Sequence, residues 1–308
     1  MRIALCILAL NEAAVSRCES FPVFLRRRVS SPASMTTQSD VVNVDAYPLS
    51  QLSMLPKKYT QVKIIHFLRH AEGTHNVNNQ YRDILNLDAR LTLNGMAQCI
   101  ALRESAILKS GQSYNKMELP LASCELIVTS TLTRCAQTAQ FCFPHLSDVV
   151  PWVAHESIRE TVNYACDRRR PISDLRREFP KIDFSHVSED KDVIWDEYDA
   201  RLGSDWDCHR ESAELYRVAD RGRSFLNWLS QRTEQNVIVC THSAFLRCIM
   251  SWGHDGGVKF MMDQTLDDRR DSGREIPLFN YCGDQDFEEQ MRADFKNCEM
   301  RSLVIAFD

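Results

Sequence analysis

Short apolar runs alternate with stripes of helical period along most of the chain. Ile64, Ile65, Phe67 and Leu68 supply four apolar residues in five, the density of a strand buried in a parallel sheet. Leu126–Thr129 and Val149–Val153 read as two further strands, and Asn236 precedes a fourth at Val237–Thr241. Between them the period changes. Met96, Cys99, Ile100 and Ile107 recur at helical spacing behind Thr92, a fitting N-cap, and Gly111 marks a stop. Gly95 weakens the first turn of that helix, which points to a close approach by a neighbouring loop. Leu132, Cys135, Ala136 and Ala139 form a second stripe. From Glu211 to Arg232 the stripe Leu215, Val218, Gly222, Phe225, Leu226 and Leu229 predicts the clearest helix. A helix over Ala244–Met250 and a strand over Ser302–Phe307 complete the pattern.

Where the pattern fails, it marks boundaries. Residues up to about Pro56 are rich in Ser, Pro and Thr without sustained period, so 1–56 is expected to be a poorly ordered extension and 57–308 the folded domain. Within the extension, Ile3–Leu10 fits a signal-peptide core, Arg26–Arg28 with the Ser-rich stretch fits an organelle transit segment, and Met35 fits a cytosolic start. Residues 161–210 carry many charges and few long apolar runs, and are expected to form a partly helical cap pinned by Trp195 and Trp206. Their arginines are expected to be mainly a solvated face paired with Glu178 and neighbouring acids. Gly253–Arg274 is polar and reads as a loop or lid.

Composition narrows the class. With 308 residues, 44% hydrophobic and 26% charged, the chain has the makings of a soluble globular protein with a large core. A net charge of −5 excludes a bulk basic field for nucleic acid or anionic lipid, so any phosphate affinity must be local. The longest N-terminal apolar run is too short to span a bilayer. The 12 cysteines are scattered without a Cys-x-x-Cys pair and read as small buried hydrophobes of a reducing, cytoplasmic compartment.

The candidate chemistry sits where strands end. Arg69 and His70 follow the first strand directly, the rim at which open α/β sheets hold ligands. A guanidinium fork suits phosphate, and a neutral imidazole can attack phosphorus. Gly73 allows a close turn around an anion, and Asn76 can donate to its oxygens. Arg134 falls in the first turn of a helix, where the backbone already favours an anion, although a solvated surface arginine fits the same pattern. His242 and Ser243 repeat the opening geometry after a second buried strand. A metal held by His66, His70 and His75 is the weaker reading, since strand residues four apart lie ~13 Å from each other.

Taken together, Leu68-Arg69-His70-Ala71-Glu72-Gly73-Thr74-His75-Asn76, Asp88-Ala-Arg-Leu-Thr-Leu-Asn-Gly95, Ser130-Thr-Leu-Thr-Arg134 and Thr241-His242-Ser243 resemble the histidine phosphatase superfamily, with a tail match at Phe295–Glu299. Ala71 and Ser243 stand where the family usually has glycine. The resemblance implies a three-layer α/β/α fold around a central, mostly parallel sheet, with 161–210 as a capping insertion. It implies His70 as a nucleophile that becomes phosphohistidine, and Arg69, Arg134, His242, Asn76 and the neighbouring Ser243 as the phosphate pocket. Glu160 aligns best as the general acid, with Glu156 in reserve. It further implies a small phosphomonoester substrate hydrolysed without a metal or other cofactor. The alternatives are a mutase-type phosphoryl transferase and a non-catalytic phosphate-binding scaffold. The segment after Glu160 departs from the glycolytic mutases, which favours hydrolysis.

Overall fold

The computed structural model describes residues 44–112, 123–203, 210–258 and 276–307, all within one compact unit, Val41–Asp308. In chain order the regular elements are β1 (Val44–Tyr47), β2 (Gln61–Arg69), α1 (Leu93–Gln112), β3 (Leu126–Thr129), α2 (Thr133–Cys142), β4 (Trp152–Ala154), α3 (Ile172–Glu178), α4 (Val193–Leu202), α5 (Leu215–Ser230), β5 (Asn236–Thr241), α6 (Ser243–Ser251), β6 (Phe279–Asn280), α7 (Gln285–Arg292) and β7 (Met300–Phe307). The strands form one sheet in the order β4-β3-β5-β2-β7-β1-β6. β7 alone runs against its neighbours β2 and β1; every other pairing is parallel. The expected mostly parallel α/β sheet is thus present.

Alternation along the central strands sorts the core into two layers. Ile65, Phe67, Val237 and Val239 face α5, α6 and α7, meeting Phe225, Leu229, Phe245, Ile249 and Met291. Leu68, Ile238 and Cys240 face the opposite way, toward Cys99 of α1, Cys135 and Ala139 of α2, and Ile172 and Leu175 of α3. Phe67, Leu68, Val239 and Cys240 are wholly buried. At about 1.5–3 kcal/mol for each large apolar side chain so buried, the β2–β5 pair is strongly held. Its register sets Arg69 beside Thr241, so the residues that follow, His70 and His242, leave the sheet side by side.

Four expectations need correction. The N-terminal boundary near Pro56 is too late: β1 lies in the sheet, with Val44 and Ala46 fully buried and its partners at Val304–Ala306. The third strand is Trp152–Ala154, not Val149–Val153, because Val149 is exposed. The Glu211–Arg232 helix is α5, entered through a 3-10 turn at Glu211–Ala213. Residues 161–210 are less separate than a cap: Ile172, Leu175, Phe179, Ile182 and Phe184 pack in the same core layer as α2. Arg169 in this segment is buried, donating to the carbonyls of Glu189, Asp190 and Lys191, whereas Arg170 pairs with Glu178 as expected. Trp195 is buried against Val162 and Tyr198; Trp206 and most of the expected 253–274 loop lie outside the described residues. No helix among the described residues is long and apolar enough to cross a membrane.

Candidate active site

Adjacent strand ends build the site. His70 Nα–H donates to Thr241 O at 2.9 Å and Ser130 Nα–H to Cys240 O at 3.0 Å, locking the turns after β2, β3 and β5 together. The rings of His70 and His242 lie 5.1 Å apart, and the ring of His75 stands 5.5 Å from His70. All three imidazoles are buried. Desolvation holds each well below the ordinary histidine pKa, helped by Arg134 for all three, so they are neutral at pH 7.

Their hydrogen bonds fix the tautomers. His70 Nδ1 sits 2.8 Å from Ala71 O, so it carries the proton and leaves the lone pair on Nε2. His242 Nδ1 accepts from Arg134 Nε at 3.2 Å, which puts its proton on Nε2, facing Ser130 Oγ at 2.8 Å. His66, by contrast, is spent on structure: its two ring nitrogens meet Ser302 Oγ and Asn236 Oδ1.

Two guanidiniums bring charge. Asp88 accepts from the Thr133 Nα–H and hydroxyl, tying down the first turn of α2 and therefore Arg134. Arg134 is buried, donating to His242, to Cys166 O at 2.6 Å and to Asp167 Oδ1 at 3.0 Å. That uses three of the five N–H groups of a guanidinium. Arg69 donates to Phe295 O at 2.6 Å, while its buried Nε has no partner among the described residues. The buried Nδ1 of His75 is likewise unpartnered. Asn76 Oδ1 accepts from Gly73 Nα–H and Asn297 Nδ2, turning its own amide donors to the other side. Ser243 opens α6 next to His242 and is partly exposed.

The two carboxylates proposed from sequence part company. Glu160 reaches the N-terminus of α6, accepting from the Nα–H groups of Phe245 at 2.9 Å and Ala244 at 3.3 Å, and from Thr161 at 3.0 Å. Desolvation and the neighbouring Asp167 nevertheless raise its pKa above the ordinary glutamate range. Glu156 is drawn off into a buried network with Arg159, Arg169 and Asp192.

Sequence reasoning passed over three participants. Asp167 holds Arg134 but sits in a charged stretch that reads as surface. His75 carries no sequence signal of its own beyond a weak metal pattern and its place in the Leu68–Asn76 motif. Asn297 donates to His70 O at 3.2 Å, and the tail match at Phe295–Glu299 was its only sequence signal. The assembled surface of neutral imidazoles, guanidiniums and an unpartnered N–H donor can hold a tetrahedral anion and offers it the free Nε2 of His70.

Residues 65–268 match the model of the histidine phosphatase superfamily (branch 1), and the chain belongs to that family. It is 30% identical over 276 residues to a phosphoglycerate mutase-like protein of Arabidopsis thaliana, covering 79% of this chain and 84% of the relative. Phosphoglycerate mutase-like protein 1 of the same plant is 30% identical over 275 residues, covering 79% and 81%. Among solved structures, the ecdysone phosphate phosphatase of Bombix mori with tungstate aligns at a TM-score of 0.43 and 14% identity, over 78% of this chain and 88% of that one.

Proposed function

We propose that this chain is a phosphatase that hydrolyses a small phosphomonoester through a phosphohistidine. The observation that carries the reading is the tautomer of His70: with Nδ1–H given to Ala71 O, the lone pair on Nε2 is available for attack. Arg69 and Arg134 neutralise the oxygens of the transferring group, the work a divalent cation does in other phosphoryl-transfer sites. His242, fixed by Arg134 and Ser130, supplies shape and polarity beside the nucleophile. Glu160, with its raised pKa, protonates the departing alcohol and then takes a proton from the water that attacks phosphohistidine. Phosphorus thus passes from the ester oxygen to His70 Nε2 and on to water.

The test is trapping. Quenched turnover of a labelled phosphomonoester should leave an acid-labile, alkali-stable phosphoryl group on His70, absent from His70→Ala. Turnover should persist in EDTA and be blocked by vanadate, which mimics the pentacoordinate state. A strict need for added magnesium, or an alkali-labile adduct, would overturn the proposal. The curated relatives are named for phosphoglycerate mutase, so interconversion of 3- and 2-phosphoglycerate with 2,3-bisphosphoglycerate is the competing outcome. Fast interconversion with little hydrolysis would replace phosphatase by mutase.

A further inference from the structure

Three cysteines far apart in sequence meet directly beneath the His70 loop. Cys99 comes from α1, Cys142 ends α2 and Cys298 lies in the turn before β7; their sulfurs all fall within 4.8 Å of one another. Cys142 Sγ and Cys298 Sγ are 3.9 Å apart. Three thiolates on one ion with metal–sulfur bonds of ~2.3 Å stand about 3.8–4.0 Å from each other, so little movement is needed to accept one. A disulfide would require one pair to close by roughly 2 Å in a packed core and would leave the third sulfur idle. The backbone adds a second observation. Cys298 has φ 59°, the left-handed region in which a side chain is costly and glycine is at ease, yet a thiol stands there.

We infer that Cys99, Cys142 and Cys298 form a three-thiolate site for a thiophilic d¹⁰ cation of the Zn²⁺ class. Binding exchanges protons for metal: three thiols and one Zn²⁺ give a tris-thiolate complex and three protons. Cys99 and Cys142 are wholly buried, so the ion enters past Cys298, the only one of the three with measurable exposure. The site touches the phosphate pocket through two hydrogen bonds. Cys298 Nα–H donates to His70 O at 3.2 Å, and the Thr138 hydroxyl, one turn before Cys142, accepts from Ala71 Nα–H at 3.0 Å. A bound ion would therefore stiffen the loop that carries His70 without taking part in phosphoryl transfer.

Cd²⁺ titrated into the full chain, reduced with a non-thiol phosphine, tests this. One equivalent should bind with a thiolate-to-metal absorption band of three-thiolate intensity. X-ray absorption of the Zn²⁺-loaded wild type should show three sulfurs at ~2.3 Å. Cys142→Ser and Cys298→Ser should each weaken binding at least 100-fold, while Cys282→Ser, at an exposed position, should not. Fewer than three sulfurs on the ion in the wild type would overturn the site, whatever the variants do. So would wild-type affinity in a folded Cys142→Ser, or recovery of a Cys142–Cys298 disulfide in place of the bound ion.

Discussion

Replacing Glu160 by Gln separates the proposed proton donor from the bonds Glu160 makes to the start of α6. Gln keeps an oxygen for the Thr161 and Phe245 N–H groups and loses the Oε2 acceptor of Ala244, whose bond is already long at 3.3 Å. Losing that bond costs about 1 kcal/mol of stability. The carboxyl proton is a different matter. A positioned general acid is worth ~10²–10⁴ in rate, or about 2.7–5.4 kcal/mol of barrier at 1.36 kcal/mol per tenfold. In kcat/KM, which reports only the steps up to release of the alcohol, that loss should appear only where the leaving group needs a proton. Glu160→Gln should lower kcat/KM for an alkyl phosphate by ~10²–10⁴ and for p-nitrophenyl phosphate, whose phenolate leaves unaided, by less than about tenfold, while the later attack of water slows equally for both. The wild-type kcat/KM for the alkyl ester should fall as pH rises past the raised pKa of Glu160, since the protonated form is the active one, and that limb should vanish in the variant. Equal losses on both esters would refute the assignment. An unchanged limb in Glu160→Gln that disappears in Asp167→Asn would pass the acid role to Asp167, a buried carboxyl whose pKa is also raised.

Arg134→Lys keeps the charge, but one ammonium cannot reach His242 Nδ1, Cys166 O and Asp167 together; kcat should fall ~10²–10³-fold and chemical denaturation should show a loss of about 1–3 kcal/mol. Gly95→Ala places a Cβ 2.2 Å from Glu72 O, a backbone atom of the His70 loop, so an overpacking cost of about 1–3 kcal/mol should outweigh the ~1 kcal/mol gain in helix propensity. Its urea midpoint should drop, with KM rising as the loop shifts. Stability should also fall as pH drops below about 6.5. His66 and His155 are pulled down to about 4 by burial, and His70, His75 and His242 lie well below 6.5. The unfolded chain then binds protons that the folded one refuses, at about 1.4 kcal/mol per pH unit for each histidine in that window. Glu160 and Asp167, raised in the fold, work the other way and offset part of it, so a midpoint that rises on acidification from pH 6.5 to 5 would contradict the neutral-histidine assignment.

How far the sequence could be read depended on what each residue's partner was. β2, β3 and β5 are buried on both faces, so their apolar runs stand out, and the strand-to-helix turns carrying His70, Arg134 and His242 followed from them. β1 escaped because four residues with two buried side chains make no period, and its main partner β7 lies at the other end of the chain. Arg169 reads as surface because all but one of its side-chain partners are backbone carbonyls, which leave no mark in composition.

The choice between Glu160 and Glu156 shows the same limit inside the site. Both follow β4 within a few residues, and spacing does not distinguish them. The 3-10 turn at Glu156–Ile158 turns Arg159 back onto Glu156, and Arg169 and Asp192 close that network. Glu160 is left to meet the N-terminus of α6, whose N-cap is His242 itself. One helix start therefore orients both the second histidine and the Glu160 carboxyl bonded to its backbone. Shifting that start would disturb acid and pocket together, so a variant that moves α6 should lose alkyl-ester turnover and phosphate affinity in parallel, whereas Glu160→Gln should lose only the first.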